Sequence, residues 1–431
     1  MPFFTPQPST IAFIIIGVML VLYITEKLPI ATTSILACMA FAIFGIVPFA
    51  DAFSGFGNDI VFLICGMVVV GNALFETGVA QLMGKKIISV VGTNERVFIF
   101  AIMLVSVTLS VFLSNTATTA MMLPIAASSI GASGGKLSKK NTYMAIGIMS
   151  VAGGGLSLVG STPQLIAQAA LIEGGHDTMG FFELSKTGLP IVFLVLIFFT
   201  TLGYKLQQKV FTFPEVEEDI IQPAHPELEP PQKQSVLKMC ISVAVLVFCT
   251  IGFITGLWSY GMVAMVGAAI CVVTHCMPQK RVFQKMDWTT VVIMGCSFGI
   301  GTGLNKSGAG MLVAQGMMNL LGDKMSPWLL CAALALVAVI LTNFMSSTAT
   351  ASLLIPISVL VASELGYDVK SVAMAVAIAT NIGYATPIST PSMTMTLTAG
   401  YHFTDYVKIG GLINILAYGL VILLFPLVLN L

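Results

Sequence analysis

Residues 114–125 read SNTATTAMMLPI, and residues 346–357 read SSTATASLLIPI. The two stretches agree at six of twelve positions and lie 232 residues apart. Other landmarks recur at nearly that distance. Leu74, Thr77 and Gly78 correspond to Leu304, Ser307 and Gly308, and Ser161-Thr162-Pro163 corresponds to Ser389-Thr390-Pro391. The landmarks keep the same order in both halves, and the apolar run at 9–25 falls on the run at 236–254. A duplication of this kind divides the chain into a first repeat (1–204), a joining segment (205–235) and a second repeat (236–431).

Composition sets the solvent. Of 431 residues, 57% are hydrophobic and only 9% charged, against about 25% charged in an average soluble domain. The mean hydropathy is +0.97. A lipid bilayer is therefore the expected environment, and the chain is expected to be a multi-pass protein of the cell membrane. Nineteen basic and nineteen acidic residues cancel, so no global field recruits nucleic acid. The eight cysteines sit inside or beside apolar runs without metal-ligand spacing and read as small core residues. MPFFTPQPST at the start has no basic region before the first apolar run, which argues for a retained first helix.

A helix needs about 20 mainly apolar residues to cross the hydrocarbon core. Such runs are expected at 9–25, 30–49, 60–75, 184–204, 236–254, 257–277, 287–304 and 409–430. Four more apolar segments, 97–135, 141–172, 325–363 and 371–401, contain no Asp, Glu, Lys, Arg or His, yet Gly, Pro, Ser, Thr or Asn interrupts each. From Val97 to Leu113 is about 26 Å of helix and from Ala117 to Ile130 about 21 Å. Two such short arms around Ser114-Asn115-Thr116 predict a re-entrant hairpin over about 97–130, with a counterpart at about 326–362. The alternative is one long helix kinked at Pro124. Lys85, Lys86 and Arg96 precede the first hairpin and Lys136, Lys139 and Lys140 follow it, so both its ends are expected in the cytoplasm.

Each repeat then has five spanning helices and one hairpin, and the odd number of spans turns the second repeat upside down. The expected fold is an all-α polytopic membrane protein of two inverted repeats, each with a re-entrant hairpin and a discontinuous helix. The second hairpin opens outside. Acidic, Pro-rich FPEVEEDIIQPAHPELEPPQKQ within 205–235 reads as a cytoplasmic linker. Residues 50–59 and 173–183 carry only acidic charge among Asp, Glu, Lys and Arg and fall outside, whereas Lys306, Lys324 and Lys370 depart from the rule.

The chemistry is expected at the breaks. In hydrocarbon, a broken helix is tolerated only inside protein or beside a wet cavity. GGGLSLVGSTP (153–163) and IGYATPISTP (382–391) each interrupt a helix, exposing free carbonyls on one side and free N–H groups on the other. Carbonyls and hydroxyls suit a hard cation such as Na⁺, and helix N-termini suit an anion. Ser110 and Ser114 are spaced i, i+4 at the first tip, and Thr342 and Ser346 repeat that spacing at the second, which on a helix puts both hydroxyls on one side. The bland alternative is that such hydroxyls bond back to carbonyls or let helices pack. Asp59, Glu76 and Asp287 fall near helix ends and read as interfacial. With no Ser-His-Asp, HExxH, P-loop or paired-carboxylate constellation, nothing points to an enzyme.

At these residues the sequence resembles the divalent anion/sodium symporter (DASS) family of the ion transporter superfamily, whose members carry two Ser-Asn-Thr tips and Pro-containing helix breaks. STPQLIAQAALIEGGHDTMGFFELSKTGLPI (161–191) and MDWTTVVIMGCSFGIGTGLNKSGAG (286–310) are similar to segments of its sulfate and carboxylate carriers. The resemblance implies Na⁺-coupled symport, or exchange, of dicarboxylates, tricarboxylates or sulfate. It further implies an elevator motion of a transport domain against a homodimeric scaffold. A first cation site is implied at Ser110, Ser114, Asn115 and Gly160, with Asn115, Thr116, Ser161 and Thr162 reaching the anion. The second is implied at Thr342, Ser346, Ser347 and Ser389, with Ser347, Thr348, Thr390 and Pro391 near the substrate. Ser347 stands where the family has asparagine, losing an amide carbonyl and two N–H donors. Thr162-Pro163-Gln164 and Thr390-Pro391-Ser392 replace the family's Pro-Pro-Asn.

A C4-dicarboxylate such as succinate, malate or fumarate is the expected substrate, with citrate or sulfate as variants. A Na⁺/H⁺ antiporter or an arsenite-type permease of the same superfamily is the alternative. A membrane sensor that has lost transport is a third reading, without a visible output domain.

Overall fold

The computed structural model describes residues 7–25, 27–79, 82, 94–213, 235–309, 312 and 326–428, which form helices, turns and loops without a strand. The first half contains α1 (Pro8–Thr25), α2 (Ile30–Ile43), α3 (Asp59–Glu76), α4 (Glu95–Ser110), α5 (Asn115–Ala132), α6 (Lys139–Gly154), α7 (Thr162–Glu173), α8 (Ser185–Thr200) and α9 (Leu202–Val210). The second contains α10 (Val236–Thr255), α11 (Tyr260–Val273), α12 (Trp288–Lys306), α13 (Pro327–Phe344), α14 (Ser347–Glu364), α15 (Val369–Thr380) and α16 (Phe403–Val428), with a short turn of helix at Pro391–Met395. Lys85, Lys86, Lys324 and linker residues 214–234 lie outside the described residues.

The recurring landmarks have local causes. Asn58 accepts from Ile60 N to cap α3, and Asp287 accepts from Thr290 N to cap α12. Both helices stop at matched glycines, Gly78 (φ +86°) and Gly308 (φ +72°), whose left-handed backbone a side chain would strain. Asp59 and Asp287 thus sit at helix starts, and Glu76 at a helix end pairs with Arg281 at 2.5 Å and Lys285 at 2.6 Å.

Two expected spans are corrected. Residues 184–204 are not one helix, because α8 and α9 meet at 54°. Thr201 leaves helical angles (φ −121°, ψ −97°), the hydroxyls of Thr200 and Thr201 bond back to Leu196 O and Ile197 O, and α9 carries Lys205, Gln207, Gln208 and Lys209. So polar a helix belongs at the membrane surface rather than in its core. It also runs across the expected division at 204/205. Residues 30–49 give a helix only as far as Ile43, since Gly45 (φ +72°) and Pro48 end it.

The long-helix reading of 97–130 is excluded. The chain breaks at 111–114, and α5 continues through Pro124. Hydrogen bonds settle the direction of the two arms. Glu95, opening α4, accepts from Ser138 N and Asn141 Nδ2 at the start of α6, whereas Ser110, closing α4, donates to Ser150 O near the end of α6. Thus α4 runs parallel to α6, and α5, which starts beside Gly154 and returns toward Lys139, is antiparallel to both. In the second half Thr342, near the end of α13, donates to Thr380 O at the end of α15, and α13 packs along α15. Both hairpins therefore place their tips beside a helix break.

Among the described residues, five helices are long and apolar enough to cross a membrane, and six if α8 with α9 counts as one. A break divides some of the others, as between α6 and α7. The helices sort into two bodies: α1–α3 pack with α10–α12, and α4–α8 pack with α13–α16. Between the bodies α12 rests on α7 and α14, where Glu173 accepts from the Thr302 hydroxyl. Two of the lysines that depart from the charge rule pair with acids of the loops expected outside, Lys306 with Asp51 at 3.1 Å and Lys370 with Glu183 at 2.7 Å. Burial would raise the Glu183 carboxyl, but Lys370 and the Gly180 N–H outweigh it and hold it below its ordinary range.

The second break is braced from behind by α16. Asn414 accepts from Tyr384 N at 2.9 Å and donates to Asn343 Oδ1 at 3.1 Å, and Gly410 lets α16 lie directly on the Tyr384 carbonyl. A Cβ at Gly410 would overlap that carbonyl. Gly410→Ala is expected to destabilise the fold by about 1–3 kcal/mol, read as a lower Tm of the purified protein. An unchanged Tm would show that the break gives way at no cost.

Candidate functional site

The first cluster is built from two helix ends and a tip. Ser110 is the last residue of α4, Ser150 lies in the last turn of α6, Asn115 opens α5, and Gly160 ends the loop before α7. Ser110 and Asn115 are buried. The Ser110 hydroxyl donates to Ser150 O at 2.6 Å. One terminal atom of the Asn115 amide stands 2.9 Å from Gly160 O, 3.0 Å from Ser110 Oγ and 3.0 Å from Ser150 O. With nitrogen there, the amide can donate toward these oxygens. That assignment satisfies the amide within the protein alone; turned over, the amide would bring its oxygen to Gly160 O, Ser110 Oγ and Ser150 O, the set of four oxygens a bound cation would take. Oxygen ligands alone fit a hard cation such as Na⁺, and no histidine or cysteine joins them.

Glycine makes the room. A Cβ at Gly154 would overlap the Asn115 amide, and one at Gly160 would meet Gly154 Cα at 2.6 Å and Ser110 O at 2.8 Å.

The second cluster matches the first with an exchange of parts. Thr342 Oγ1 donates to Thr380 O at 2.9 Å, as Ser110 does to Ser150 O. Gly383 stands where Gly154 stands, but there a Cβ would meet Ser389 Cβ at 2.8 Å and Thr342 Oγ1 at 3.2 Å. Ser389 occupies the place of Gly160, and its hydroxyl bonds to Gly383 O and Thr386 O. The space filled by the Asn115 amide in the first half is thus filled by the Ser389 side chain in the second. Ser347 touches this cluster through its backbone, donating its N–H to Ser389 O at 2.9 Å.

The i, i+4 reasoning for Ser110/Ser114 and Thr342/Ser346 is corrected by the break. Because α4 ends at Ser110, Ser114 is not on the same helix but caps α5, accepting from Ala117 N at 3.2 Å. Ser346 likewise caps α14 through Ala349 N at 3.1 Å.

Around the clusters four helix starts come together. α14 packs on α7, and Pro391–Met395 packs on α5, so each half's broken helix begins against the other half's hairpin arm. Thr116, Thr162, Thr348 and Pro391 keep part of their surface open, whereas Asn115, Ser161, Ser347 and Thr390 are buried. None of these eight groups is charged. Any anion there meets hydroxyls and helix N-termini, each N-terminus worth about half a positive charge. Sequence reading missed Ser150 and Thr380, which contribute backbone carbonyls that no residue type advertises. It missed Asn381 as well, whose Oδ1 takes the Ser161 hydroxyl at 2.7 Å.

Comparisons with known proteins agree with this architecture. The YdaH transporter of Alcanivorax borkumensis superposes with a TM-score of 0.65 over 98% of both chains at 14% identity. MtrF of Neisseria gonorrhoeae, described as one of a class of antimetabolite efflux pumps, superposes at 0.58 over 98% of this chain and 95% of its own, at 13% identity. In sequence, the chain is 24% identical to the sodium-dependent dicarboxylate transporter SdcS of Staphylococcus saprophyticus, over 93% of this chain and 82% of that one. It is 23% identical to the sodium-dependent high-affinity dicarboxylate transporter 3 of Caenorhabditis elegans, over 92% and 79%. The family model described as citrate transporter, CitMHS, matches residues 20–378. A multi-pass helical fold with paired helix breaks and a family match over residues 20–378 lead to one conclusion: this protein belongs to the citrate transporter family and is a membrane transporter, not an enzyme.

Proposed function

We propose that the chain carries a small divalent organic anion across the cell membrane together with Na⁺, or in exchange for a second anion, with a C4-dicarboxylate as the preferred cargo. The observation that carries this reading is the Ser110–Asn115–Ser150–Gly160 oxygen cluster set beside helix N-termini in a region without Arg or Lys. A dianion there needs a neutralising partner, and a bound cation with the helix N-termini supplies it. The names of relatives divide between citrate and dicarboxylates, so both substrates belong in the test. Uptake of labelled succinate, citrate and sulfate into proteoliposomes, with and without an inward Na⁺ gradient, decides it. Transport of none of the three under either condition would sink the reading. Proton flux driven by Na⁺ alone would instead favour the antiporter.

The two bodies fit an elevator, in which α4–α8 with α13–α16 slide against α1–α3 with α10–α12 in a homodimer. Recurrence of element order and the outer pairing of Lys306 and Lys370 support inverted repeats at 1–204 and 236–431. The candidate anion contacts remain Asn115, Thr116, Ser161, Thr162, Ser347, Thr348, Thr390 and Pro391. Those for cations remain Ser110, Ser114, Asn115, Gly160, Thr342, Ser346, Ser347 and Ser389, with the Ser150 and Thr380 carbonyls added.

The exchanged parts make a sharp expectation for the second cluster. Ser389→Ala should weaken Na⁺ activation and flatten its dependence on Na⁺ concentration toward a single-ion curve. Ser347→Asn with Ser389→Gly, which copies the first half, should restore the steeper curve. A Na⁺ dependence unchanged by Ser389→Ala would remove that hydroxyl from ion binding.

A further inference from the structure

The structure shifts the Ser-Thr-Pro match by one residue: Ser161 pairs with Thr390 rather than Ser389, both standing before the broken helices with nearly identical backbones, φ −147°, ψ 145° and φ −148°, ψ 149°. Their side chains do different things. Thr390 Oγ1 caps its own helix, accepting from Met393 N at 3.4 Å. Ser161 makes no side-chain cap to α7 and donates instead to Asn381 Oδ1 at 2.7 Å. Asn381 is only 5% exposed, and its Nδ2 is occupied by Ala377 O at 2.9 Å, which turns the amide oxygen toward Ser161. The residue matched to Asn381 is Val151 by the equivalent carbonyl contacts of Ser150 and Thr380, or Ala152 by the Gly154/Gly383 match, and neither has a side-chain acceptor. The two halves differ at this position as well, and the cap differs with it.

We propose that Asn381 is a positioning residue for anion binding: it holds the Ser161 hydroxyl off the N-terminus of α7, leaving that helix's first-turn N–H groups to the substrate carboxylate. Pro163 has no N–H, so Thr162 and Gln164 carry the first donors of α7. Gln164 is fully buried and its Oε1 has no hydrogen-bond partner, so its side chain does not cap this turn either, and a donor from a bound molecule would satisfy that oxygen. In the second half the Thr390 cap already consumes the equivalent donor. The two broken helices are therefore unequal, with α7 the stronger anion end. This inference rests on the dianion-transport reading above.

The test is a double-mutant cycle on succinate uptake in proteoliposomes, with KM for the anion, Vmax and Na⁺ activation measured for wild type, Asn381→Leu, Ser161→Ala and the double variant. Asn381→Leu frees Ser161 to cap α7 and should raise the anion KM about fivefold, the equivalent of one cap, with Vmax and Na⁺ activation unchanged. In the Ser161→Ala background, where no cap can form, the same change should leave KM where Ser161→Ala alone puts it. An equal rise in both backgrounds would make Asn381 a direct ligand and overturn the proposal. So would a fall in Vmax or protein level with KM unmoved. If Asn381→Leu does not fold, Asn381→Ala also removes the acceptor and carries the same expectations. Wild type that transports no dianion defeats the function reading, and the inference with it; active wild type with additive variants defeats the inference alone.

Discussion

Asn115→Ala is expected to lower Na⁺-driven anion uptake by about tenfold to a hundredfold while the protein still folds and reaches the membrane. The amide terminus reaches three oxygens within 3.0 Å: Gly160 O, Ser110 Oγ and Ser150 O. Removing one partner of an interaction with a charged group costs about 1.5–3 kcal/mol, and 1.4 kcal/mol is tenfold in an equilibrium constant. Folding should survive, because α5 keeps its Ser114 cap and the hairpin keeps the Glu95 bonds at its base. Comparing initial uptake rates with surface expression measures this directly. Wild-type rates in Asn115→Ala would remove the residue from the site and leave the oxygen cluster as mere helix packing.

Gly154→Ala should be nearly as damaging, although residue 154 presents no side chain to any ligand. The added Cβ would overlap the Asn115 amide and stand 2.8 Å from Gly160 O. The amide is the softer element, so it is expected to swing out and leave the cation with an incomplete shell. The double variant Gly154→Ala/Asn115→Ala should then be no worse than Asn115→Ala alone, since the methyl has nothing left to displace. Additive losses would mean that Gly154 acts through the backbone of α6 instead. Ala substitution at the matched Gly383 meets the Ser389 side chain, and so should weaken Na⁺ activation as Ser389→Ala does.

Much of this was legible in the sequence because the bilayer makes the rules severe. A chain with 9% charged residues has few ways to fold, and segments without any charge must be spans or broken spans. The repeated Ser/Thr-rich tips and the Ser-Thr-Pro breaks marked the places where helices stop. Glycine at 78 and 308 marked two further stops. What could not be read was how the pieces meet. Ser114 looked like a partner of Ser110 by spacing, yet the helix ends between them. The expected helix over 184–204 bends because hydroxyls compete for its carbonyls and its polar end belongs at a surface.

The sequence by itself determined the environment and the positions of the breaks, since each follows from local chemistry: apolar length, turn residues and missing N–H groups. Tertiary structure alone decided which oxygens form a cluster. The carbonyls of Ser150 and Thr380 carry no sequence signal, and the exchange of Asn115 with Gly160 for Ser347 with Ser389 appears only when the two halves are laid side by side in space. Asn381 and Ser161 are 220 residues apart, and only the packing of the first half's break against the second's brings them within a hydrogen bond.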